Sequence, residues 1–295
     1  MDSFAGVTSY DVDLPSGRIR YYRVGSSGPP LVLLHGAVLD SAELAWGEVI
    51  PRLSGKFRIY AFDWPEHGYS WPAADGTSEA VLGDVLSRMV TYWGLERFHL
   101  VGSSQGGGIA TRFALDHPEQ VRRMIAIGPV GYDDRKLVLG VMSLVVRIPG
   151  LARLATRLMA RFPGLVRLSL LVARTQRKKT IGFEESVQLG WQQVRRAVRY
   201  GSTILDDYLV ESYERSKTRI DYLPQVGELT VPTLIVYGSK DLSTSGRALR
   251  RAAAAMPNGS FRRVDGVGHM ACRDDPQAIA DLILGFLRDN GGTAT

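Results

Sequence analysis

Residues 98–101, Phe-His-Leu-Val, run directly into Gly102-Ser103-Ser104-Gln105-Gly106-Gly107-Gly108, and a stretch with helical spacing follows. No other feature restricts the fold as much. Glycines packed between a buried strand and a helix predict a tight strand-to-helix turn, not a slack linker. Gly102 to Gly106 fits the pattern G-x-S-x-G with Ser104 at its centre. Such a turn holds the central residue in a strained backbone conformation, and the flanking positions leave no room for a Cβ atom. The serine Oγ is then lifted clear of the sheet, at the N-terminus of the next helix. The backbone N–H of Gln105 faces a developing oxyanion there.

The surrounding chain supplies the context this turn requires. Residues 30–36, 57–63, 98–104, 123–129 and 233–238 are short apolar runs typical of buried strands, and 18–24 and 261–266 alternate as strands do. Helical spacing recurs over 77–94, 245–256 and the final stretch through Asp274-Asp275-Pro276. Strands alternating with helices predict an α/β fold: a mainly parallel, eight-stranded-type sheet flanked by helices. Residues 131–223 interrupt the pattern with Leu-, Arg-, Val- and Met-rich segments, broken at 148–150 and 162–164. The expected organisation is therefore a core of 1–130 and 224–295 with a helical cap, or lid, at 131–223, lying over one edge of the sheet.

A serine hydroxyl is a poor nucleophile without a base. Of the five histidines, His99 alternates within a strand and His117 precedes a proline at a helix end, so both read as structural. His67 lies in a turn, and His35-Gly36 after a buried strand reads as a loop-shaping pair. His269 differs, because it sits in the glycine-flanked loop Gly266-Val267-Gly268-His269-Met270 after the last strand. Its partner acid is Asp241, which follows the strand 233–238 and reaches the same sheet edge. Asp265, Asp133 and Asp134 are the fallback acids. The chain order Ser, Asp, His is that of an α/β-hydrolase and not of other serine-hydrolase folds.

Five segments carry a wider likeness: 31–46 (LVLLHGAVLDSAELAW), 60–72 (YAFDWPEHGYSWP), 100–110 (LVGSSQGGGIA), 233–241 and the end from Gly266 through Leu287. On these the sequence resembles the α/β-hydrolase fold superfamily, in the group of serine hydrolases with a helical cap. The resemblance implies Ser104 as nucleophile, Asp241 as acid and His269 as base. It implies that the N–H of Ala37 joins that of Gln105 as an oxyanion hole, with His35, Gly36, Gly102 and Gly106 as the supporting loops. Asp63, Gly68 and Ser70 would be scaffold around the pocket. One departure is Glu66, where family members usually carry glycine.

The expected activity is hydrolysis of carboxylic esters through an acyl-enzyme, with apolar medium or long acyl chains. Two alternatives stay open: C–C cleavage of a diketone-type substrate by the same triad, and a ligand-binding member of the fold that does not hydrolyse. No metal or organic cofactor is called for, since no ligand spacing such as H-E-x-x-H occurs and Cys272 is the lone cysteine. A single cysteine, the absence of a leader and of a long apolar run predict a cytoplasmic protein.

The net charge of +6 is unevenly placed. Between Arg135 and Phe183 there are eleven Lys or Arg and no Asp or Glu. Arg153, Arg157 and Arg161 fall at i, i+4, i+8 beside Leu154 and Leu158. Two readings of this segment stand. It is an ordinary lid with a solvated basic face, or it forms an apolar acyl tunnel and makes transient contact with an anionic membrane or lipid surface. Nucleic acid is not an expected partner, because the basic span carries no binding motif.

Overall fold

In the computed structural model the apolar runs become the centre of one eight-stranded sheet with order β1-β2-β4-β3-β5-β6-β7-β8. The structure describes residues 7–132, 148, 150–173, 182–205, 207–212 and 220–288. The strands are β1 (Thr8–Leu14), β2 (Gly17–Val24), β3 (Pro30–Leu34), β4 (Arg58–Phe62), β5 (Phe98–Ser103), β6 (Val121–Ile127), β7 (Thr233–Gly238) and β8 (Gly259–Val264). β1 and β2 form an antiparallel hairpin, and β2 joins β4 antiparallel. Every pairing from β4 to β8 is parallel. Every residue of β3 and β5 is buried, as strands covered on both faces require.

Helices cover both faces. On one side lie α3 (Glu79–Tyr92), α4 (Gln105–Asp116) and α9 (Gly246–Ala255), whose Leu82, Met89, Ile109, Phe113 and Leu249 join the core there. On the other lie α1 (Ala42–Trp46), α2 (Ile50–Leu53), the short α10 (Ala271–Asp274) and α11 (Pro276–Leu287), with Trp46, Leu53, Ala271, Ile279 and Ile283. Caps set several helix starts: Ser78 Oγ accepts from Val81 N–H, and the Asp275 carboxylate accepts from Ala278 N–H.

Between β6 and β7 the described residues hold no strand but four α-helices, α5 (Leu151–Arg161), α6 (Pro163–Ala173), α7 (Phe183–Arg199) and α8 (Asp207–Ser212), and a 3-10 turn at Leu223–Glu228. Their small core of Met159, Val166, Leu170, Val187 and Val194 also takes in Leu39, from the loop after β3. This insertion thus packs over the ends of the central strands.

One loop of the core fastens α7. Gln193 Oε1 accepts from Gly68 N–H at 2.8 Å, and Gln193 Nε2 donates to Glu66 O at 2.8 Å. Ser202 Oγ donates to the Glu66 carboxylate at 2.6 Å. Glu66, at φ 64, occupies the left-handed region that suits the family's usual glycine. Its side chain supplies a tie that glycine could not. Arg196 lies 4.0 Å from the Tyr69 ring centroid, and Trp71 stacks on Tyr200 at 5.1 Å.

Gln193→Ala removes both bonds and leaves the Gly68 N–H buried without its acceptor. A stability loss of about 1–3 kcal/mol is expected, read as a lower urea midpoint at unchanged m-value.

Candidate active site

The turn at Ser104 is strained in the way its neighbours demand. Ser104 has φ 52 and ψ −117 and stands at the head of α4. A Cβ on Gly102 would overlap Gly106 O, and one on Gly106 would lie 2.5 Å from both Leu34 O and His35 O. Only glycine fits either place. The turn is held by Ser104 N–H donating to Ile127 O at 2.8 Å, while Ser104 O accepts from Gly107 N–H and Gly108 N–H.

His269 Nε2 is 2.9 Å from Ser104 Oγ, and His269 Nδ1 is 2.9 Å from Asp241 Oδ2. The network fixes the neutral tautomer: Nδ1–H donates to Asp241, and Nε2 accepts from the serine hydroxyl. Asp241, 3% exposed, also accepts from Ser243 N–H at 2.7 Å and Thr244 Oγ1–H at 2.8 Å. Burial pushes its pKa up, but the His269 charge and these hydrogen bonds carry it below the ordinary value. Burial likewise presses His269 down. The Asp241 charge and hydrogen bond, with the charge of Asp40, more than offset this and hold the imidazole above its ordinary pKa.

The loop after β3 forms the opposite wall. His35 is fully buried, with Nδ1 2.6 Å from Gly36 O and Nε2 accepting from Trp64 N–H at 3.0 Å. Burial, then the neighbouring His67, keeps its pKa well below the ordinary value, so it stays neutral and shapes the loop. Among the described residues neither the N–H of Ala37 nor that of Gln105 donates to a protein acceptor. Both flank the serine, and Ala37 lines the cavity above it.

Asp40 is a site residue that the sequence motifs do not reveal. Its Oδ2 accepts from Gly36 N–H at 2.8 Å and its Oδ1 from Ser41 N–H at 3.0 Å, so the loop curls around this carboxylate. Burial pushes its pKa up to about 6, against the opposing pull of those hydrogen bonds and of Arg273 and His269. A turn aspartate after an apolar run is too common a signal to single out. Only the spacing from Gly36 hints at it.

The other sequence candidates lie elsewhere. His99 is buried in β5 against Phe57, and His117 ends α4. His67 Nδ1 is 3.0 Å from Pro65 O. Asp63 accepts from Ala42 N–H, Tyr69 N–H and the Tyr22 hydroxyl, and Ser70 Oγ donates to Asp63 O, which makes both scaffold beneath the loops. Asp265 is paired with Arg263 at 2.8 Å. Asp133 and Asp134 lie outside the described residues. Among the described residues no cluster of three or more His, Cys, Asp or Glu could hold a metal ion. None of the described helices is long and apolar enough to cross a membrane.

Ser104 and His269 open into a cavity of about 310 Å³. Val38, Leu39, Pro129 and Val130 line it from the core, and Leu170, Ala173, Leu209 and Ile220 from the insertion. That volume is at the lower end of small-molecule pockets, roughly 300–1,000 Å³. Arg273 also lines it, but its guanidinium lies 3.5 Å from Glu185 and 3.9 Å from Glu48.

A family model described as the alpha/beta hydrolase fold matches residues 29–276. The chain belongs to this family. It is 27% identical over 281 residues to an uncharacterised protein of Mycobacterium tuberculosis, covering 92% of this chain and 79% of that one. Over 265 residues it is 28% identical to a 2-hydroxymuconate semialdehyde hydrolase of Pseudomonas putida, covering 89% and 88%. A solved membrane phospholipase A, described as a bacterial virulence factor, superposes with a TM-score of 0.78 at 23% identity, over 96% of this chain and 86% of that one. Solved carboxylesterases and meta-cleavage product hydrolases share the alpha/beta hydrolase architecture too.

Two outcomes are expected at this site. By NMR, His269 titrates above about 6.5, and in Asp241→Asn its pKa falls because the raising charge is gone. The folded pKa being raised, this residue's contribution to stability is full below about pH 6.5 and is lost as pH rises through the folded value, so the mutant's stability varies less across that window. Asp40→Ala frees the Gly36 loop and removes one of the charges that raise the His269 pKa, while the three triad side chains stay in place. It should lower kcat by about tenfold to a hundredfold with KM little changed, as for a group that positions the loop beside Ser104.

Proposed function

We propose that this alpha/beta hydrolase cleaves carboxylic esters with apolar, medium or long acyl chains. The observation that carries the reading is the Ser104–His269–Asp241 relay, two 2.9 Å contacts long, at the floor of an apolar cavity. In this mechanism Ser104 Oγ attacks the ester carbonyl as His269 Nε2 accepts its proton. The oxyanion is bound by the N–H groups of Ala37 and Gln105. The imidazolium, balanced by Asp241, protonates the leaving alcohol. Water, deprotonated by His269, then releases the acid and restores Ser104.

Curated relatives at 24–28% identity include 2-hydroxymuconate semialdehyde hydrolase and 2-hydroxy-6-oxononadienedioate hydrolases, so C–C cleavage is the second reading. Charge at the cavity wall favours the first. Such substrates carry one carboxylate, or two in a dioate, and need cations to meet them. Besides His269, Arg273 is the only basic residue among the described residues lining the cavity, and it already faces Glu185, Glu48 and the Asp40 charge. An uncharged acyl chain meets no such cost.

The test is a series of p-nitrophenyl esters from acetate to decanoate, run beside a 2-hydroxy-6-oxo-dienoate, on wild type and Ser104→Ala. Ester kcat/KM should rise with chain length beyond acetate and fall by about 10⁴-fold or more in Ser104→Ala. Faster turnover of the dienoate than of every ester would favour the second reading. No turnover of either class would leave a binding protein.

A further inference from the structure

Helix α6 is apolar on more than one face, although it lies at the surface. Val166 and Leu170 are buried in the insertion's own core, whereas Leu165 and Leu168 are 39% and 58% exposed. The adjoining α5 exposes Leu154 and Leu158, and Phe162 stands exposed at the junction of the two helices. Six of the eleven exposed large hydrophobic residues described fall between Ile148 and Leu168. A helix pair with such an outer face is normally covered by something.

The charges flanking this face say what covers it. Arg153, Arg157 and Arg161 are exposed and lie one row from Leu154, Leu158 and Phe162, and Arg167 is exposed beside Leu168. Arg167 pairs with Glu184 at 2.6 Å. No Asp or Glu occurs between Arg135 and Phe183 to oppose an anionic partner. Aliphatic residues that can enter the acyl boundary, bordered by arginines whose stems reach back to phosphate level, suit a lipid interface. An acidic protein would call for fewer leucines and more paired polar contacts.

We infer that the exposed face of α5 and α6 docks the enzyme on an anionic lipid bilayer, with the cavity mouth turned toward the lipid. The placement of the mouth rests on Ser169, which is exposed and also lines the cavity, next to Leu168. Leu170 and Ala173 of the same helix line the cavity over Ser104, and Ala173 O accepts from His269 N–H at 3.1 Å. An acyl chain leaving the bilayer beside Leu165 and Leu168 thus reaches the serine along one helix. Docking concerns the surface alone; that it delivers substrate rests on the ester reading above.

The experiment is flotation of the full chain with vesicles of phosphatidylcholine, pure or with a phosphatidylglycerol fraction, together with hydrolysis of soluble p-nitrophenyl butyrate. Wild type and Ser104→Ala should both float with the anionic vesicles and much less with the neutral ones. The triple variant Arg153→Gln, Arg157→Gln, Arg161→Gln should bind anionic vesicles about a hundredfold more weakly. Leu154→Ser with Leu158→Ser should also lose binding, and both variants should keep wild-type butyrate turnover. Absence of flotation, equal flotation with neutral vesicles, or binding indifferent to these substitutions would overturn the docking. Flotation by a protein that cleaves no ester would overturn the ester reading and leave the docking standing.

Discussion

The backbone of Ser104 is the constraint on which the site depends. A non-glycine residue at φ 52, ψ −117 costs of order 1–3 kcal/mol and persists only where its surroundings over-determine it. Here the surroundings do so from three directions. β5 and α4 fix the chain on either side, the carbonyls of Leu34 and His35 press on Gly106, and Ile127 O takes the Ser104 N–H. Because β3, β5 and β6 are adjacent and parallel, the loops leaving their ends meet at this one point. The strain is thus maintained by sheet topology, and the exposed Oγ is its consequence.

The second wall is built around a charge instead of a strained turn. Asp40 gathers the N–H groups of Gly36 and Ser41, and His35 ties Gly36 O to Trp64. Leu39, between them in sequence, packs into the core of the insertion. Movement of the insertion is therefore felt at the loop that carries the Ala37 N–H. Glu66 restrains the same helix through Gln193, one turn from Gly190 where Leu39 packs, and holds the turn after it through Ser202.

Most of this architecture is legible in the sequence because its signals are local and steep. Buried parallel strands read as unbroken apolar runs, and the Ser104 turn as glycines at fixed spacing. The geometry brings His269 and Asp241 to Ser104 from the ends of β8 and β7, and their flanking glycines and strand positions are what singled them out. β1 is marked more faintly. In residues 8–14, TSYDVDL, Tyr10, Val12 and Leu14 do alternate, but over a short, half-exposed edge stretch that carries two aspartates, which strands disfavour. Asp40 bonds to nearby Gly36 and Ser41 and is lost among ordinary turn aspartates, whereas Gln193 takes its role from partners that only the fold brings near. For Gln193 those partners, Glu66 and Gly68, lie over 120 positions away. Glu66 drew notice only as a departure from glycine, and its tie to Ser202 is a tertiary fact.

The contrast between α6 and α7 shows which part of the insertion answers to packing alone. α7 buries Val187, Gly190, Val194 and Ala197 and turns Glu184, Gln188, Gln192 and Arg195 outward, close to the division expected of a helix bounded by water, with Val198 in its last turn as the exception. α6 buries Val166 and Leu170 but turns Leu165 and Leu168 outward as well. Folding demands only the first pair. Nothing in the core rewards the second, since an exposed leucine gains no burial and promotes association. Polar residues would serve folding equally well there, so the outward leucines must be explained by what the surface meets. On the proposed docking, the arginine row beside them suits an anionic and apolar phase, and the adjacent cavity mouth would give the contact a use.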